Sequence, residues 1–103
     1  MEKNTPHYDL AVIQAEVVRL QSKAFTLTAR EGGRKMMLNL HQMIRTVCLL
    51  KKRMLYKSMT TYADHRVWQD VYHTTYEDRE IYIKVTYRTN GGHPIISFKE
   101  RNQ

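Results

Sequence analysis

The residues of this 103-residue chain that can do chemistry gather where its sequence alternates. From Ile81 to Arg88, Ile81, Ile83, Val85 and Tyr87 fall on one side of an extended strand, while Tyr82, Lys84, Thr86 and Arg88 share the other. Residues 95–99 repeat the pattern, setting Ile96 and Phe98 against Ser97 and Lys99. One face of this pair of strands is apolar, and the opposite face joins a phenol to cations, with Gln and His side chains nearby in the chain. Such a set can cut RNA without a metal. A base takes the proton of the 2′-hydroxyl, cations stabilise charge on the phosphorane, and an acid protonates the leaving 5′-oxygen. Lys, Tyr, His and Arg fill all of these roles. They also suit plain nucleic-acid binding, and composition by itself favours binding over cutting, because basic residues on an exposed sheet are commonly only solvated.

Other chemistries are poorly served. The five histidines (His7, His41, His65, His73 and His93) include no pair at helical metal spacing, and neither a Cys pair nor a carboxylate cluster accompanies them, so no metal or other cofactor is expected. Gly32-Gly33 and Gly91-Gly92 lack the residues of a phosphate-binding loop. Cys48 is the only cysteine, expected to be a small packed hydrophobe rather than a nucleophile. Seventeen Lys and Arg against ten Asp and Glu give a net charge of +7, which favours a polyanionic partner. The excess is spread over both halves of the chain, with one dense knot at Lys51, Lys52, Arg53 and Lys57. No apolar run approaches the roughly 20 residues of a membrane span, and residues 1–10 are too polar for a secretory signal. The expectation is one soluble cytoplasmic domain over residues 1–103.

The elements that must position these groups read in series. Leu10, Ile13, Val17 and Leu20 form the stripe of an amphipathic helix that Asp9 caps or charges. Residues 24–28 read as a short strand, which Gly32-Gly33 ends. Asn39 opens a second helix with Leu40, Met43, Ile44, Val47, Cys48 and Leu50 on its buried side, too apolar for a DNA-recognition helix. Met54, Leu55 and Met59 suggest a weaker helical turn. Beyond it, residues 67–76, 81–88 and 95–99 are expected as a three-stranded antiparallel meander, joined by a polar turn at Glu77–Glu80 and by Asn90-Gly91-Gly92.

Two blocks narrow the choice. Tyr56-Lys57-Ser58-Met59-Thr60-Thr61-Tyr62-Ala63-Asp64-His65 followed by Trp68-Gln69-Asp70-Val71-Tyr72, together with Ile81-Tyr82-Ile83-Lys84-Val85 and Ile96-Ser97-Phe98-Lys99-Glu100, closely resembles the motility quorum-sensing regulator (MqsR) toxins. The opening Met1-Glu2-Lys3 and Thr5-Pro6-His7 is similar to that family too, whereas residues 24–54 match it chiefly in hydrophobic pattern. The resemblance implies an α+β fold like that of the RelE and YoeB toxins, a twisted antiparallel β-sheet packed against N-terminal helices. It implies a ribosome-independent and metal-independent mRNA interferase that cuts single-stranded mRNA at short GC-containing sites and arrests growth. It further implies a cognate MqsA-like antitoxin with a zinc-binding domain and a helix-turn-helix domain, through which promoter DNA would be reached indirectly.

Carried over by position, the family's functional residues fall on Lys57, Gln69, Tyr82 and Lys99. Lys57 and Lys99 are expected at the scissile phosphate, and Gln69 would orient substrate. Tyr82 would transfer a proton, as an acid unless a nearby Lys lowers its pKa. His65 is a secondary candidate in the loop beside Asp64. Arg66, Lys84 and Arg88 are expected to touch the RNA backbone, and Lys51, Lys52 and Arg53 equally suit an acidic antitoxin surface. His73 reads as a substitute cation at most. The competing function is a non-catalytic RNA- or ribosome-binding protein, or a transcriptional co-regulator.

Overall fold

The structure is a computed structural model and describes residues 1–87 and 92–102. Three helices, α1 (Leu10–Leu20), α2 (Leu27–Lys35) and α3 (Leu40–Cys48), cover one face of a five-stranded antiparallel sheet. Its strands lie in chain order: β1 (Glu2–Lys3), β2 (Leu55–Thr60), β3 (Trp68–Tyr76), β4 (Arg79–Tyr87) and β5 (Pro94–Glu100). The architecture is the expected α+β class, and the sheet is wider than the three-stranded meander, gaining β1 and β2 at one edge.

The helix starts follow local chemistry. Asp9 caps α1 by accepting from the Ala11 N–H at 2.9 Å, and Leu10, Ile13 and Val17 turn inward. Asn39 and Gln42 form a reciprocal capping box at the start of α3, each side chain accepting from the other's backbone N–H at 2.8 Å. Two orphan donors are satisfied at once. Cys48, expected among the packed residues of this helix, is exposed at its C-terminal end.

Residues 24–35 depart from the sequence reading. A short 3₁₀ turn over 21–24 leads to a single parallel bridge between Phe25 and Ile96, and the expected strand is not formed. Thr26 then caps α2 through the Ala29 N–H, so Gly32 and Gly33 lie inside a helix rather than ending a strand. Packing explains the pair. A Cβ on Gly32 would strike the Phe98 carbonyl oxygen of β5, and one on Gly33 would strike the Met43 sulfur of α3. Only glycines let α2 approach its neighbours so closely.

The weak helical turn expected near Met54 and Met59 is a 3₁₀ turn over 52–54 followed by β2. Between Leu55 and Lys57 the register against β3 shifts by one residue, a β-bulge that sends Tyr56 and Lys57 to the same face. Period-2 patterning is lost there, which is why the sequence did not read as a strand. The turn between β3 and β4 is the two-residue Glu77-Asp78, both at positive φ as the twist of a tight hairpin demands. The expected Asn90-Gly91 turn lies outside the described residues.

Ile81, Ile83, Val85, Ile96 and Phe98 point under the helices and are at most 1% exposed. Beside this core, buried Asp70 accepts from the Ser58 hydroxyl at 2.5 Å and from the backbone N–H groups of His7 and Tyr8. Those bonds fasten the segment after β1 onto β3, satisfying a carboxylate that would otherwise be costly to bury.

Candidate active site

The outer face of the sheet collects the polar side chains that alternate with the core. His73 of β3 faces Tyr82 of β4, and Tyr82 faces Lys99 of β5, as direct cross-strand neighbours. The His73 and Tyr82 rings are 6.0 Å apart between centroids, and the Lys99 ammonium lies 5.0 Å above the Tyr82 ring. On the other side Tyr56 stacks flat on His73, 4.4 Å away with a 16° interplanar angle, and carries the Lys57 ammonium 5.4 Å from its own ring. The bulge in β2 is what lets Tyr56 and Lys57 both reach this row.

Of the residues expected to carry the chemistry, Lys57, Tyr82 and Lys99 converge. Gln69 shares their face but sits opposite Met59 and Thr86, four residues along β3 from His73, or about 13 Å at strand rise. It borders the row rather than joining it. Lys84, opposite Val71 and Ser97, helps line a cleft of about 160 Å³ with Tyr82, Lys99, Thr26 and Thr28. His65 lines a second hollow with Glu2 and Lys57, at the end of β2. Arg66 is held by Asp64 through two side-chain hydrogen bonds of 3.0 and 3.1 Å, which tie its guanidinium to its own loop. Arg88 lies outside the described residues. A larger cavity, about 500 Å³ between Arg30, Arg34 and the start of α3, is lined by none of these groups. Among the described residues, no three His, Cys, Asp or Glu side chains come together as metal ligands.

Electrostatics assign the protons. Burial raises the Tyr82 phenol above its ordinary value, outweighing the opposite pull of the Lys57 ammonium, so Tyr82 keeps its proton near neutral pH and is suited to act as an acid. Lys57 is held charged by Glu2, whose carboxylate accepts its hydrogen bond at 3.1 Å, with smaller help from Tyr56 and Tyr82. Burial lowers His73, and Arg101 adds to the effect against the weaker pull of Glu80. The imidazole is therefore neutral at pH 7.

Tyr56 and His73 are the members of the row that sequence reasoning missed. Parity could have found His73, since it falls on the same strand face as Gln69. A lone histidine with no spacing partner gives no stronger signal. His7 resembles it superficially, stacking on Trp68 at 4.9 Å and 12°. There, however, the Lys3 ammonium donates to Nδ1 at 3.1 Å and crosses the same indole, so the ring is already engaged.

An antiparallel five-stranded sheet backed by three helices is consistent with the fold of the RelE-like toxins. Within that class the chain belongs to the MqsR family: the family model described as "Motility quorum-sensing regulator, toxin of MqsA" matches residues 5–100. The mRNA interferase toxin MqsR of Escherichia coli (strain K12) is 35% identical over 101 residues, spanning 98% of this chain and all of that protein.

Proposed function

We propose that this chain is the toxin of a toxin-antitoxin pair, a single-domain endoribonuclease that cuts single-stranded mRNA on the outer face of its sheet. The observation that carries the reading is the cross-strand row that sets a protonated phenol, Tyr82, between the flanking cations Lys99 and Lys57. The two ammonium groups hold the scissile phosphate and offset the charge that builds on it, an effect strengthened where the site is partly desolvated. Tyr82 protonates the departing 5′-oxygen. Gln69, at the end of the row, orients a flanking nucleotide through its amide, and Lys84 follows the backbone.

The proton donor and the charge-stabilising groups of this reading are the chain's own side chains, and cleavage needs neither a metal ion nor the ribosome. Short GC-containing sites are its substrates. An MqsA-like antitoxin, with a zinc-binding domain and a helix-turn-helix domain, neutralises the toxin and carries the pair to promoter DNA, and the exposed Lys51, Lys52 and Arg53 suit an acidic surface on it. A cytoplasmic site of action accords with a basic mRNA-cutting chain in which, among the described residues, no helix is long and apolar enough to cross a membrane.

Incubation of the purified protein with single-stranded RNA in EDTA tests this. Fragments ending in 2′,3′-cyclic phosphate with 5′-hydroxyl partners are expected, and the combined Lys57→Ala, Tyr82→Phe and Lys99→Ala protein should leave the RNA whole. Undiminished cutting by that variant would remove the assigned site.

A further inference from the structure

Resting on that reading, we propose that His73 is the general base of the reaction, its imidazole taking the 2′-hydroxyl proton while its cross-strand partner Tyr82 protonates the leaving 5′-oxygen. The geometry suits two ends of one phosphodiester. With 6.0 Å between ring centroids and 43° between their planes, the two rings are tilted rather than stacked, and both polar ends can come within the 2.6–3.2 Å or so of substrate oxygens that proton transfer needs. The Tyr56 stack fixes the plane of the imidazole and covers one of its faces, which leaves the nitrogen-bearing edge to meet substrate. Among the described residues, no side chain takes up a ring nitrogen of His73, in contrast to Nδ1 of His7.

The surrounding charges divide the roles. Tyr56 of β2 and Tyr82 of β4 flank the His73 ring, Arg101 and Glu80 are the charges that act on it, and Lys57 and Lys99 lie one step further out, over the Tyr56 and Tyr82 rings. Burial, with the Arg101 charge outweighing that of Glu80, disfavours a second proton on the imidazole, while burial keeps the phenol protonated. An acid and a base whose environments push their pKa values apart form a matched couple. In the step itself, the O2′–H proton passes to His73 and O2′ forms a bond to phosphorus. The P–O5′ bond breaks with its electron pair on O5′, which takes the Tyr82 proton. Products are a 2′,3′-cyclic phosphate and a 5′-hydroxyl, and one proton returned through water from imidazolium to phenolate resets the site.

Single-turnover cleavage of a short single-stranded RNA by the full chain, followed from pH 5 to 8, tests the assignment with wild type, His73→Ala and His73→Arg. For wild type the rate should rise with pH through a group titrating below 6.5 and then level off. His73→Ala should cut roughly 100-fold or more slowly and lose that rise. His73→Arg, which keeps a cation but cannot accept a proton, should be as slow, and added imidazole should recover part of the His73→Ala rate. Cutting by His73→Arg at the wild-type rate would show that only positive charge is required and would overturn the proposal, as would a pH rise that survives in His73→Ala. Circular dichroism and RNA retention on filters, both expected unchanged, separate a chemical defect from an unfolded or non-binding chain. If wild type itself cuts no RNA, the nuclease reading falls and takes this inference with it. A wild type that cuts with a pH profile indifferent to position 73 removes His73 alone.

Discussion

The two faces of β4 carry opposite tasks on alternate residues. Ile81, Ile83 and Val85 are sealed beneath the helices, whereas Tyr82 and Lys84 between them keep part of their surface on the open side. Stability is concentrated on one face and chemistry on the other, so a substitution one position along the strand should change a different observable. The arrangement lets a small protein hold charged groups close together, because the buried face absorbs the cost of the repulsion among them.

The largest expected effect breaks that comparison on the chemical side. Tyr82→Phe removes one phenolic oxygen and should slow RNA cleavage by roughly 100- to 10,000-fold while the thermal midpoint stays nearly constant; a large fall in midpoint would mean that Tyr82 belongs to the fold. One position along, Ile83→Ala should cost about 2–5 kcal/mol in urea unfolding and leave the cleavage rate of the folded fraction intact.

Acid sharpens the contrast further. His7 and His73 both have folded pKa values depressed below 6.5, chiefly by burial, so the unfolded chain binds more protons just below that value. Their stabilising contribution is complete above pH 6.5 and is lost as pH falls through the folded values. Melting midpoints should therefore drop between pH 7 and 5, and the combined His7→Gln and His73→Gln protein should show a shallower drop. The smallest effect falls on Lys84→Ala: folding stability within about 0.5 kcal/mol of wild type, with a salt dependence of RNA binding weaker by about one unit of slope.

Much of this division was legible in the sequence. Alternation from Ile81 to Tyr87 and from Ile96 to Lys99 placed Tyr82 and Lys99 on the open face, and the spacing of Leu10, Ile13 and Val17 with Asn39 before Leu40 fixed α1 and α3. What escaped was set by contacts distant in the chain. Gly32-Gly33 reads as a break unless Phe98 and Met43 are known to press on that helix. The bulge at Tyr56 turns two adjacent side chains outward, erasing the period-2 signal of β2 and making Met54, Leu55 and Met59 mimic a helical turn. His73 gained its meaning only when Tyr56 and Tyr82 were found on either side of it.

The single parallel bridge between Phe25 and Ile96 has a consequence for the order in which the molecule can be made. It ties an early segment to the last strand, just as Glu2 and Met59 tie the first strand to the middle of the chain. Contacts so far apart in sequence form late and slowly. A nascent chain interrupted before β5 lacks both Lys99 and the strand on which α2 packs, so the row of Tyr82 and its flanking cations is complete only once the last strand has joined the sheet.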